Sequence, residues 1–187
     1  MTAEYACARC AGPNPPSVAF CKRCGLPLGT AQADVSAAYE ALGAYEAPDP
    51  SDVDISLEIR DFAARSSYEA APFGRGWRVV VPLPLDRTQA VFLGHDGTDR
   101  EGRPLIGLVS VSGPASDRDA RSLLKLNSRA VEGHFAIKTL LGEEYFVVCH
   151  TILAEIADQL DSRVLLKRIA QTADGLEERL SRGRDLY

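Results

Sequence analysis

The sequence predicts an α+β domain preceded by a small metal-bound module. Three observations predict it. Four cysteines stand as two Cys-x-x-Cys pairs within residues 7–24. An acidic, alanine-rich stretch with no Lys or Arg follows them. Beyond residue 50, helical and alternating apolar periodicities succeed one another, with the strands grouped into hairpins. Three parts follow: residues 1–29, a linker over 30–50, and a main domain over 51–187.

The first part reads Cys7-Ala-Arg-Cys10, ten residues, then Cys21-Lys-Arg-Cys24-Gly25. Each pair wraps two thiolates around one ion, and two pairs complete a tetrahedral four-sulfur site. Cys7, Cys10, Cys21 and Cys24 are therefore the expected ligands of one structural Zn²⁺ in a zinc ribbon. Gly25 suits the tight turn after the second pair. Gly12-Pro13-Asn14-Pro15-Pro16 is turn chemistry, and Val18-Ala19-Phe20 is a short strand. Some 25 residues bury no adequate core, so metal binding, worth on the order of 10–16 kcal/mol in zinc-finger peptides, supplies the folding energy. Four thiolates around Zn²⁺ carry a formal charge of about −2. Arg9, Lys22 and Arg23 offset it. A catalytic zinc needs an open position, and four cysteines leave none. A redox switch that ejects the metal is the alternative use of such a site.

The linker carries Asp34, Glu40, Glu46 and Asp49 and ends in Pro48-Asp49-Pro50. Val35, Tyr39 and Leu42 fall at i, i+4 and i+7, the stripe of a short amphipathic helix that Gly43 ends. Its default docking place is the chain's own main domain, with a partner as the alternative.

In the main domain, Ser51 is the expected N-cap of a first helix that carries Ile55, Ile59 and Phe62. Val53, Ile55, Leu57 and Ile59 also alternate as in a strand, but Phe62-Ala63-Ala64-Arg65 continues the helical reading. Pro72 to Gly76 reads as a loop, and Trp77 to Leu85 as a strand whose prolines belong at an edge or outside the ladder. Thr88 to Leu93 is a second strand, residues 94–103 a turn, and Leu105 to Ser112 a third strand. Ser116 caps a middle helix with Leu123, Leu124 and Leu126. Phe135–Leu141 and Tyr145–Ile152 form a hairpin about Gly142-Glu143. Leu160, Val164, Ile169, Ala173, Leu176 and Leu180 mark the last helix. The expected order is α-β-β-β-α-β-β-α.

Arg87-Thr88-Gln89-Ala90-Val91-Phe92, Leu123-Leu124-Lys125-Leu126-Asn127, Gly133-His134-Phe135-Ala136-Ile137 and Ala173-Asp174-Gly175-Leu176-Glu177 resemble, in order and spacing, segments of one family. It is the type III secretion chaperone-like fold, in particular its YbjN-like branch of bacterial sensory transduction regulators. The resemblance spans about residues 52–182. It implies a protein-interaction or chaperone-like role, often as a homodimer, with no catalytic residues. The zinc ribbon is an addition to that fold.

Composition narrows the classes further. The 187-residue chain is 45% apolar, with a net charge of −5. No apolar run approaches a membrane span, and no signal peptide is visible at Met1–Cys7, so a cytoplasmic protein is expected. The acidic linker opposes binding to nucleic acid; the competing reading is a nucleic-acid-linked regulator that uses Arg9, Lys22 and Arg23. An enzyme would need His134, His150 and a carboxylate to meet. Cys149 and His150 point to opposite faces of a strand and cannot act as a pair. His95 and His134 could meet across the sheet as a metal pair, although nothing in their spacing requires it. Asp96, Asp99 and Glu101 lack the order of a calcium loop. Asn127 reads as a structural cap at a helix end.

Overall fold

The computed structural model describes residues 53–140 and 142–181, with Tyr5–Ala6 and Pro13–Asn14. The last two are strands β1 and β2. They pair antiparallel, Tyr5 with Asn14 and Ala6 with Pro13. Pro13 and Asn14, expected in a turn, are thus strand residues. The remaining cysteine-rich and linker segments, including all four cysteines and the Val35–Leu42 stripe, lie outside the described residues.

The domain begins with helix α1 (Ser56–Arg65). Its start is later than the Ser51 cap implied. The N-cap position is Ile55, which supplies no side-chain cap, and Asp54 just before it accepts at Oδ1 from the Ser56 backbone N–H at 2.9 Å. Strands β3 (Glu69–Phe73), β4 (Gly76–Leu83), β5 (Arg87–Thr98) and β6 (Pro104–Pro114) follow. Then come α2 (Asp117–Asn127), β7 (His134–Leu140), β8 (Glu143–Leu153), a 3₁₀ turn over Ala154–Gln159, and α3 (Ser162–Ser181). The six strands β3–β8 form one antiparallel sheet in the order β3-β4-β5-β6-β8-β7. The α+β class therefore holds. No helix among the described residues is long and apolar enough to cross a membrane.

Two local expectations need correction. Pro72 and Phe73, read as the start of a loop, are the end of β3, which begins at Glu69 in a stretch given no element and pairs through Glu69↔Val80 and Phe73↔Gly76. Gly74 takes the positive φ of the turn, and Gly76 lets β4 lie close to β5, because a Cβ there would stand 2.0 Å from the Leu93 carbonyl oxygen. The supposed turn at residues 94–103 is shorter than expected. β5 runs on through His95 and Asp96 to Thr98, with a register shift between His95 and Thr98. Proline placement follows the edge rule. Pro82 lies beyond Val80, where the β3 ladder has ended.

Side chains alternate across the sheet. On the inner face Val79, Val81, Val91, Leu93, Ile106 and Leu108 meet Ile59 and Phe62 of α1 and Leu166, Ile169 and Ala173 of α3. Leu123 of α2 packs on Phe146 and Leu176. All three described helices thus lie on one face. The outer face carries a separate apolar cluster, in which Phe92, Val111, Tyr145 and Val147 join Phe73, Val109, Ala136 and Cys149.

Candidate functional site

Two places combine polar chemistry with position. One is the contact of α3 with the start of β5. Arg87 reaches Asp174 at 2.6 Å across 87 positions of sequence. Glu177, one turn further along α3, is half-buried beside Asp174. Burial and the neighbouring Asp174 carboxylate push its pKa up to about 7, against the pull of Arg87. Beneath them the Gln89 side-chain amide donates to Ser110 Oγ at 2.9 Å and to the Val111 carbonyl at 2.8 Å. Ser110 Oγ donates in turn to the Ala90 carbonyl at 2.8 Å. Ser112 Oγ and Arg87 Nε are buried without a partner among the described residues. The arrangement ties the last helix to the sheet and holds one carboxyl that titrates near neutrality. The described cluster contains neither a histidine nor a thiol, and its ion pair anchors the last helix to the sheet.

The other place is the junction of α2 with β7, which is an edge strand. Asn127, the last residue of α2, donates from Nδ2 to the Phe135 carbonyl at 2.9 Å. Its Oδ1 accepts from the Phe135 N–H at 2.7 Å. The backbone-capping expectation for Asn127 is met, with the capped groups on a strand eight residues away. Phe135 presents these groups away from β8. Asn127 therefore occupies one step of the open edge, and the next outward step belongs to Ile137 and Thr139. Beside this edge three large apolar side chains face water: Leu124 is 68% exposed, Val131 93% and Ile137 44%.

Among the remaining sequence candidates, His150 lies within electrostatic reach of His134 and of the Glu132 carboxylate, while His95 stands apart from them. β5 and β7 are separated by β6 and β8, so His95 and His134 stand some 14 Å apart in strand spacings. His95 Nε2 lies 3.1 Å from the Gly97 carbonyl. His150 Nδ1 accepts from the Gly133 N–H at 3.0 Å, and desolvation lowers its pKa. Glu132 pairs with Arg168. Cys149 is on the outer face, where burial pushes the thiol pKa up. Asp99 Oδ1 accepts from the Glu101 and Arg103 N–H groups at 2.9 Å each, and Oδ2 from Arg103 Nε at 2.7 Å. That carboxylate is consumed by its own turn. Among the described residues no group of three or more His, Cys, Asp or Glu side chains is placed to hold a metal ion. Cys7, Cys10, Cys21 and Cys24 are outside them. The β1–β2 pair brackets residues 7–12, which contain Cys7 and Cys10.

Sequence reasoning missed the Arg87–Asp174–Glu177 group. Its one visible signal was two acidic residues interrupting the apolar face of the last helix. No family model matches the chain, and neither a curated protein nor a solved structure does.

Proposed function

We propose that the chain is a non-enzymatic protein-interaction module of the type III secretion chaperone-like kind. A zinc ribbon held by Cys7, Cys10, Cys21 and Cys24 serves as its second docking element. The observation that carries the reading is the α2–β7 edge. Exposed Leu124, Val131 and Ile137 border a strand whose outward backbone at Ile137 and Thr139 pairs with no strand among the described residues. An extended partner segment gains main-chain hydrogen bonds on such an edge and apolar contact beside it. A second copy of the chain offers the same chemistry, which fits a homodimer.

The element order supports the family resemblance. Removing β3 from the described order leaves the expected α-β-β-β-α-β-β-α, and the Leu-Leu-x-x-Asn segment ends α2 as expected. The ribbon reading is supported by the donor chemistry. Four thiolates in two Cys-x-x-Cys pairs suit Zn²⁺, and the paired residues Tyr5–Ala6 and Pro13–Asn14 flank Cys7 and Cys10 in the sequence. Zinc would there supply folding energy and no chemistry.

Light scattering of wild type and of Ile137→Asp combined with Leu124→Asp tests the reading. The wild type should dimerise and the double variant should be monomeric with an unchanged far-UV spectrum. A strict wild-type monomer at high concentration, with partner capture insensitive to both substitutions, would sink it. Elemental analysis should find one zinc per chain, lost in Cys21→Ser while the main domain stays folded.

A further inference from the structure

The usable edge of β7 is shorter than the strand. Phe135 gives both its backbone N–H and its carbonyl to the Asn127 side chain, so neither is left for an incoming strand. Outward groups recur at every second residue, which brings the next two steps to Ile137 and Thr139 before β7 ends at Leu140. An added strand therefore finds its rungs on either side of Lys138. The two faces of this short edge differ. Ile137 is opposite Phe146 on the helix face, and Lys138 is opposite Tyr145 on the outer face.

Positive charge gathers here. From Ala120 to Leu140 the chain carries Arg121, Lys125, Arg129 and Lys138 against the single carboxylate of Glu132. Arg168 already holds that carboxylate. Arg121, Lys125 and Arg129 are exposed on or just after α2. The whole chain has a net charge of −5, so the local sign opposes the global one. The other carboxylates of these elements stand at the ends. Asp117 and Asp119 are in the first turn of α2, where Asp119 accepts from the Ser116 hydroxyl. Glu143 and Glu144 are at the hairpin, opposite Leu140 and Thr139.

Register weighs against a second copy. Two β7 strands that pair antiparallel through both rungs match Ile137 with Thr139 and Lys138 with Lys138. Like charges directly opposite one another are destabilising, most of all in the close, non-hydrogen-bonded pair that Lys138 would form. Shifting the register calls either on Phe135, which Asn127 occupies, or on a residue beyond the end of β7.

We propose that the preferred occupant of this edge is an acidic extended segment of a partner protein. It adds as a short strand, with apolar side chains against Ile137 and Leu124 on the helix face and a carboxylate against Lys138 on the outer face. This rests on the interaction reading above and deepens it by naming the partner's chemistry. A second copy is the weaker occupant, which the acidic segment displaces.

The test uses the full chain and two labelled peptides, Glu-Val-Glu-Val-Glu-Val and Lys-Val-Lys-Val-Lys-Val, read by fluorescence anisotropy. The acidic peptide should bind at least about tenfold more tightly than the basic one, and the gap should shrink as salt rises. Arg129→Glu combined with Lys138→Glu should reverse the order. Thr139→Pro removes an outward N–H that the sheet does not use, and should weaken both peptides. The wild-type comparison decides alone if a variant fails to fold. Equal affinities that Thr139→Pro abolishes would overturn the charge inference and leave the edge reading standing. Absence of binding by the acidic peptide would overturn it as well, and wild-type dimerisation would then show separately whether the edge is used. Light scattering supplies the last arm. The chain saturated with acidic peptide should be monomeric, and a complex that keeps a dimer's mass would put a second copy on the edge and sink the proposal.

Discussion

The two faces of the sheet are apolar for different reasons. The inner face is covered by helices whose stripes are local and periodic. Ile59, Phe62 and Ala63 sit on α1, and Leu166, Ile169 and Ala173 on α3. The outer face has no described helix, yet its central side chains are as dry as those inside. The strands record the difference. β5 contains Ala90-Val91-Phe92-Leu93 and β8 contains Phe146-Val147-Val148-Cys149, continuous apolar runs typical of strands buried on both faces. The edge strand β7 mixes Lys138 and Thr139 with apolar residues, as a strand bordering water does. The sheet is dry on both sides at its centre and wet at its rim.

Matched truncations on the two faces give the largest effects. Phe62→Ala, at a side chain with 0% exposure, should cost about 3–5 kcal/mol in urea unfolding. Phe92→Ala on the outer face should cost about 3 kcal/mol, the lower end of that range, because Phe92 keeps some exposure and an edge-on contact with Phe73. An outer-face cost below about 1 kcal/mol would mean that this face contributes little, and the two faces would no longer be equivalent.

Much of the inner face is legible in the sequence, and little of the rest is. The Ser116 cap of α2, the β7–β8 hairpin and the last helix follow from local signals that the structure retains. β3 escapes because Ala70, Ala71 and Pro72 have weak strand preference and sit among glycines. Pairing with β4 outweighs that preference. The far half of β5 escapes because His95, Asp96 and Gly97 look like turn residues. Ile106 opposite His95 and Thr151 beside Asp96 keep the chain extended. The Arg87–Asp174–Glu177 group joins residues some ninety positions apart, which no local period encodes.

That group sharpens the comparison, since it sets half-buried charges against the otherwise apolar inner face. Glu177 has its folded pKa raised from 4.5 to about 7. The folded state therefore holds the proton more tightly than the unfolded chain does. Stability from this group is full below about pH 4.5 and is lost as pH rises through 7. Above pH 7 the ionised carboxylate is a net cost. Glu177→Gln should stabilise the protein by about 1–3 kcal/mol at pH 8 and by almost nothing at pH 4. Thermal unfolding across that range reads it. An equal gain at both pH values would show that the charge is not the cause.

The smallest effect belongs to the rim, where the wet edge meets the helix that flanks it. Asn127→Ala removes both hydrogen bonds to Phe135 and leaves a half-buried N–H and carbonyl unpaired, which should cost about 1–2 kcal/mol. The damage should stay local. Phe135 keeps its place opposite Val148, so β7 remains in the sheet while its tie to α2 loosens. Hydrogen exchange at the Phe135 amide should accelerate, while exchange in β5 and β6 stays slow. Asn127→Asp separates the two bonds. It keeps the acceptor for the Phe135 N–H but sets a carboxylate against the Phe135 carbonyl, so it should not rescue the alanine variant. If Asp rescues fully, the donor half of the clamp is idle, and the outward carbonyl of Phe135 is then as available to an incoming strand as the backbone of Ile137.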